Sequence, residues 1–164
     1  MFSDWPWRHW RQLRGEAQAL RLNDRLLTWR ELCARVDALA AGFAAQGVME
    51  GQGVALRAYN QPETLLAWLA LLQCGARVLP LNPQLPAVLL QELLPALTVQ
   101  HQLVLNGAAQ PGDLPALTLQ AAEGVHAVCW HGERLVSMTL TSGSTGLPKA
   151  AVHSASAHLA SAAG

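Results

Sequence analysis

One hundred and sixty-four residues make one ordinary domain's worth of chain. Charged residues are 13% and apolar residues 51%, against about 25% charged in a typical soluble domain, so a disordered chain is excluded. Eleven basic residues balance eleven acidic ones, which leaves no electrostatic footprint for nucleic acid or anionic lipid. Mean hydropathy is +0.18. So apolar a surface is expected to be covered by further chain.

The first fourteen residues hold Trp5, Trp7, Trp10 and three arginines, with no apolar run of signal-peptide length. The three tryptophans are expected to pack onto the rest of the chain rather than to meet a partner. Thr28-Trp-Arg-Glu31 is a capping box, in which the Thr28 hydroxyl accepts from the Glu31 amide and Glu31 reaches back. Trp29, Leu32, Val36, Leu39 and Phe43 follow at spacings of 3, 4, 3 and 4, the stripe of one helix face, and Gly47 suits its stop. Gly51-Gln-Gly53 reads as a turn and residues 54–58 as a strand. A lone Gly-x-Gly before a strand is turn chemistry, because the dinucleotide fingerprint places its glycines after a strand.

Pro62 opens a second helix, apolar almost all round through Leu72 and ended by Gly75. Its run Leu65 to Leu72 is eight residues, far short of the roughly 20 that a membrane span needs. Residues 77–81 read as an extended segment, with Pro80 marking a sheet edge or a strand end. A loop over 82–86 and a short helix over 87–94, closed by Pro95, come next. Residues 102–105, 125–130 and 134–140 are the remaining strand candidates before the loop, with a Gly/Pro-rich stretch at 106–115. Residues 151–153 look like another strand, and 154–164 are alanine-rich and helix-like. Helix and strand alternate through the first hundred residues, which predicts an α/β layered fold.

Cys33, Cys74 and Cys129 are widely spaced, with no metal or redox pairing, so the cytoplasm is the expected compartment. His9, His101, His126 and His131 lack metal-ligand spacing, no paired carboxylates suit acid–base work, and solvated or capping roles suffice for Arg57 and Arg77. His153 and His158 follow the most informative segment closely, but histidines without catalytic duty are the plainer reading.

That segment is Thr141-Ser-Gly-Ser-Thr-Gly-Leu-Pro-Lys149. Four hydroxyl side chains and two glycines occupy six consecutive positions after an apolar strand, and the chain's only lysine follows three later; the other ten basic residues are arginine. Glycine lets successive backbone N–H groups turn toward one point as an anion nest. The hydroxyls add short donors, and Lys149 supplies a compact positive charge suited to polyphosphate. The ordinary P-loop needs Gly-Lys-Ser/Thr at its end, whereas here Pro148 precedes the lysine and Ala150 follows it. A different class of ATP site is required.

The segment resembles the glycine-rich loop of the adenylate-forming superfamily, Thr-Ser-Gly-Ser/Thr-Thr-Gly-x-Pro-Lys-Gly, from Thr141 to Lys149, departing at Ala150. Leu27-Thr-Trp-Arg-Glu-Leu32 and Leu72-Gln-Cys-Gly-Ala-Arg-Val-Leu-Pro-Leu-Asn-Pro83 resemble two further signposts of that superfamily, in the right order. Within it, the tryptophan-rich start, Leu65 to Pro80, and Leu147 to His153 resemble the bacterial 2-succinylbenzoate–CoA ligase family of menaquinone biosynthesis.

The resemblance implies that residues 1–164 are the N-terminal portion of an AMP-binding large lobe, with layered sheets and flanking helices, incomplete and lacking the C-terminal lobe. It assigns Thr141, Ser142, Gly143, Ser144, Thr145, Gly146 and Lys149 to the phosphates of ATP. It implies ATP, magnesium and coenzyme A as co-reactants and a small carboxylate as substrate. No catalytic residue and no metal ligand are expected within these residues, since the magnesium ligands, adenine pocket, aryl-acid pocket and catalytic lysine would lie downstream. A truncated chain, inactive alone and with its apolar face left for the missing part or for a second copy, is the expectation. Another carboxylate-activating member, or a non-catalytic module binding a phosphorylated ligand or a partner, are the alternatives.

Overall fold

The computed structural model describes residues 2–105, 114–141 and 149–163. It is an α/β fold in which helices flank a six-stranded, mostly parallel sheet. Helix α1 (Pro6–Arg14) leads into the hairpin β1 (Gln18–Leu22) and β2 (Arg25–Thr28), a separate two-stranded sheet. Helix α2 (Trp29–Ala45) starts on the expected capping box, with the Glu31 amide donating to Thr28 Oγ1 and the Thr28 amide donating to Glu31 Oε1, both at 3.2 Å. It stops where Gly47 takes φ +99°, a left-handed turn that costs glycine nothing.

Strand β3 (Gly53–Arg57), helix α3 (Pro62–Gln73) and strand β4 (Arg77–Leu81) form one parallel unit. Helix α4 (Ala87–Ala96) then leads to β5 (Val99–Val104), which pairs with β3 on its other side, and β6 (Ala116–Leu117) extends that edge. Strand β7 (Leu135–Thr141) lies parallel to β4, and β8 (Lys149–Ser154) returns antiparallel to β7 before helix α5 (Ala155–Ala163). The sheet order is β6-β5-β3-β4-β7-β8.

Side chains alternate along each strand, and the two faces build two cores. Val54, Leu56, Val78, Leu103 and Val136 pack with α2 and α3. Ala55, Leu79, Val99 and Met138 pack with Leu90 and Leu94 of α4. The crossover from β3 to β4 runs one way along the sheet and the crossover from β4 to β5 runs back across β3. Two right-handed crossovers of opposite direction place their helices on opposite faces, and α3 and α4 lie so.

Several expectations are corrected here. Residues 125–130 form no strand, because side chains satisfy their backbone: Trp5 Nε1 donates to Val128 O at 3.0 Å and Gln73 Nε2 to His126 O at 3.1 Å. Of the two places expected for Pro80, the strand end holds and the sheet edge does not: it lies in an interior strand, one residue from its end, where its missing N–H removes little of the ladder. Pro95 does not close α4, which runs on to Ala96. Arg57 is neither solvated nor at the surface: it is 4% exposed, and its Nη2 donates to Pro83 O and Leu85 O at 2.6 and 2.7 Å. Helix α1 and the β1–β2 hairpin carry no sufficient periodicity and emerge only in the structure.

Trp5 and Trp7 do pack inward, while Trp10 is half-buried and stacks on Trp29. Trp5 and Trp7 are 1% and 7% exposed. Trp5 stacks on Trp7 and meets Trp130 edge-on, each at 5.2 Å between centroids. Beneath them Gln73, fully buried, accepts from Trp7 Nε1 at 2.6 Å and donates to Asp37 Oδ1 at 3.0 Å. Asp37 is also held by Arg8 at 2.9 Å and Arg11 at 3.5 Å. One side-chain amide thus joins α1, α2, α3 and the 126–128 segment.

Buried titrating groups are few. Burial raises the Cys33 thiol to about 11 and the Cys74 thiol to about 12, so neither is a nucleophile in the folded chain. His101 is 8% exposed, with Nε2 3.0 Å from Gln52 Oε1, and desolvation holds its pKa below the usual 6.5. The unfolded chain therefore takes this proton first, so stability is full above pH 6.5 and drains as pH falls from there toward the folded pKa. The urea midpoint of His101→Gln is expected to fall less between pH 6.5 and 5 than that of the parent. Identical pH slopes for the two proteins would contradict this.

Candidate functional site

The segment expected from the sequence to bind phosphate is framed by β7 and β8. Seven residues, 142–148, join them and lie outside the described residues. The strands that hold their two ends are described as backbone. Thr141 and Lys149 are register partners, followed down the ladder by Leu140 with Ala150, Thr139 with Ala151 and Met138 with Val152. The two terminal members of the predicted phosphate set, distant by eight positions in sequence, are therefore brought side by side. Because β7 runs parallel to β4, this closure sits at the carboxyl edge of the sheet, level with the ends of β3 and β4. That edge is where open α/β sheets place their ligands.

Two cavities flank the site. The first, of about 350 Å³, is walled by Trp5, Trp7, Trp68 and Trp130 and reaches Ser137 and His158. Ser137 is 3% exposed, and its Oγ lies 2.6 Å from His158 Nε2; the ring of His153 meets that of His158 at 5.6 Å. The hydrogen bond ties α5 to β7, so these histidines have positions in the packing next to the loop. The second, of about 360 Å³, opens between the carboxyl ends of β3 and β4 and is bordered by Tyr59, Asn60, Thr64, Trp68, Asn82 and Pro83. Sequence reasoning missed it, since its walls come from two separate loops with no shared motif.

Among the described residues, no group of three or more His, Cys, Asp or Glu side chains comes together to hold a metal ion. No described helix is long and apolar enough to cross a membrane.

The fold and the framing of this loop at the carboxyl edge of a parallel sheet agree with a nucleotide-handling class of protein, and residues 7–164 match the AMP-binding enzyme family, so the chain belongs to it. The particular relatives are specific. The chain is 70% identical over 164 residues to 2-succinylbenzoate–CoA ligase of Escherichia coli K12, covering 100% of this chain and 36% of that protein. It is 66% identical over 163 residues to the enzyme of the same name from Salmonella typhimurium, covering 99% and 36%. Among solved structures, a variant of E. coli MenE with bound OSB-AMS superposes with a TM-score of 0.94 at 70% identity, over 100% of this chain and 37% of that one. The chain thus spans just over a third of the length of these relatives.

Proposed function

We propose that these 164 residues are the N-terminal part of the AMP-binding lobe of an ATP-dependent 2-succinylbenzoate–CoA ligase acting in the cytoplasm. The observation that carries the reading is the pairing of Thr141 with Lys149 at the carboxyl edge of the sheet, in a chain 70% identical to a ligase of that name. In the first half-reaction a carboxylate oxygen attacks the α-phosphorus of ATP, the bond to the bridging oxygen breaks, and pyrophosphate leaves. The role of Thr141, Ser142, Gly143, Ser144, Thr145, Gly146 and Lys149 is to hold the β- and γ-phosphates and to stabilise the charge that builds on the leaving group. In the second half-reaction the coenzyme A thiolate attacks the acyl carbon and AMP leaves.

Magnesium would neutralise phosphate charge in such a reaction. The described residues offer no cluster of acidic ligands for it. The tryptophan-walled cavity and the exposed Leu65 that borders it support a second element of the reading, that further chain of the lobe covers this face.

The substrate is tested by selectivity. A graft of this chain in place of the matching residues of the E. coli relative, and beside it the complete protein that carries this chain, are assayed for pyrophosphate exchange with 2-succinylbenzoate, benzoate, an amino acid and a fatty acid. 2-Succinylbenzoate is expected to give at least about 100-fold higher exchange than the others, because a site built to pair polar groups rejects analogues that leave them unpaired. Preference for an amino acid or a fatty acid would move the chain to another branch of the family.

A further inference from the structure

The balance of eleven basic against eleven acidic residues is uneven along the chain. Residues 1–35 carry seven of the basic residues and four of the acidic ones, and residues 36–164 carry four and seven. Arg14, Arg21, Arg25, Arg30 and Arg35 are all exposed, on the end of α1, the β1–β2 hairpin and the first two turns of α2. Glu16, Asp24 and Glu31 stand among them. Arg30 pairs with Glu16 at 2.6 Å, and Arg25 pairs with Glu31. Arg14, Arg21 and Arg35 have no acidic partner among the described residues.

Aromatic and aliphatic side chains lie within this basic surface. Trp10 of α1 stacks on Trp29 of α2 at 6.4 Å between centroids, and the Arg14 guanidinium lies 5.8 Å from the Trp10 ring. Both rings are half-buried. The Arg30 amide donates to Gly15 O at 3.0 Å, which joins the end of α1 to the start of α2. Leu13 and Arg14 follow Trp10 by three and four positions, on the same helix face, and Leu13 is 64% exposed. On the hairpin Leu27 is buried, so its neighbour Leu26 points outward, 40% exposed and beside its register partner Arg21. Tryptophan, leucine and arginine on one face are the composition of surfaces that rest in the headgroup layer of a bilayer.

We propose that the end of α1, the β1–β2 hairpin and the start of α2 form a docking surface for an anionic lipid bilayer. The arginines meet lipid phosphates, Leu13 and Leu26 meet the acyl boundary, and the edges of the two tryptophans lie at headgroup level. Such a surface lies on the membrane without crossing it, in keeping with the lack of a spanning helix among the described residues. A nucleic acid is the poorer fit. Its bases stack on free aromatic faces, whereas the Trp10 ring already meets Trp29 and Arg14, and exposed leucines gain nothing from a phosphate backbone.

The test is co-sedimentation of the complete protein that carries this chain with vesicles of phosphatidylcholine alone, or of phosphatidylcholine with phosphatidylglycerol. Binding to the anionic vesicles and not to the neutral ones is expected, and it weakens as salt is added. An unpaired arginine near an anionic surface contributes about fivefold to the partition coefficient. Arg14→Gln, Arg21→Gln and Arg35→Gln combined are therefore expected to lower it by roughly 100-fold. Leu13→Asp is expected to lower it by about tenfold or more. Val88→Asp, at a comparably exposed apolar position on α4, is expected to leave it unchanged. All these positions are exposed, so each variant should keep the parental circular dichroism spectrum. No binding to anionic vesicles, equal binding to neutral ones, or a loss with Val88→Asp as large as with Leu13→Asp overturns the surface. So does tighter binding to single-stranded DNA than to the anionic vesicles. Neither ATP nor a carboxylate enters the measurement, so failure here leaves the ligase reading standing, and failure of pyrophosphate exchange leaves this surface to sedimentation alone.

Discussion

Lys149→Ala is expected to slow pyrophosphate exchange in the graft by about 10- to 150-fold. The basis is the chemistry of the leaving group. Lys149 is the chain's only lysine, and its backbone is paired with Thr141 at the mouth of the loop, where β7 and β8 bring the loop's two ends together. A charge-assisted hydrogen bond to a phosphate oxygen contributes about 1.5–3 kcal/mol, which is the quoted factor at 1.4 kcal/mol per tenfold. Lys149→Arg should recover only part of the rate, because the planar guanidinium does not substitute for a compact ammonium. Circular dichroism of the variant should match that of the parent. Unchanged exchange kinetics in Lys149→Ala would remove the lysine from the phosphate site.

Gln73→Leu is expected to lower stability by about 3–5 kcal/mol, which for a chain of this size is a fall in Tm of roughly 6–20 °C. Gln73 has no exposed surface. Its amide serves Trp7 Nε1, Asp37 Oδ1 and His126 O at once. Leucine conserves volume but leaves the buried Trp7 Nε1 and the part-buried His126 O without this partner, while Asp37 keeps Arg8 and Arg11; each stranded group costs about 1–3 kcal/mol. Trp7→Phe removes only one of these bonds, and its smaller loss should not add to that of Gln73→Leu, because the two residues share an interaction. A loss below about 1 kcal/mol in Gln73→Leu, measured by urea unfolding, would show that the amide is not the junction of these elements.

The contrast between these two residues shows what was legible in the sequence. Lys149 stands in a contiguous motif whose glycines, hydroxyls and cation each have a local reason, so a phosphate role is proposed for it from spacing alone. The α2 start reads for the same reason: the capping box is complete within Thr28 to Glu31. Gln73 offers no such signal. It ends an apolar helix run, and the groups it satisfies lie 36 to 66 positions away.

The misread segments share that cause. Residues 125–130 have strand composition, yet their backbone bonds go to Trp5 and Gln73 rather than to a neighbouring strand. Arg57 looks like a surface cation, yet the parting of the β3 and β4 loops places two carbonyls within its reach. The cavity between the carboxyl ends of β3 and β4 is a product of strand order. The sequence shows helix alternating with strand, but not that β5 returns to the far side of β3.

The central claim is that residues 1–164 are a working part of an adenylating lobe. The most direct measurement is 2-succinylbenzoate-dependent pyrophosphate exchange by the unmutated graft, in which this chain replaces the matching 36% of the E. coli ligase. The account predicts exchange within about tenfold of the parental enzyme, since 70% identity over the whole chain leaves the fold and the loop's framing strands in place. A folded, monodisperse graft that binds ATP but supports no exchange would contradict it.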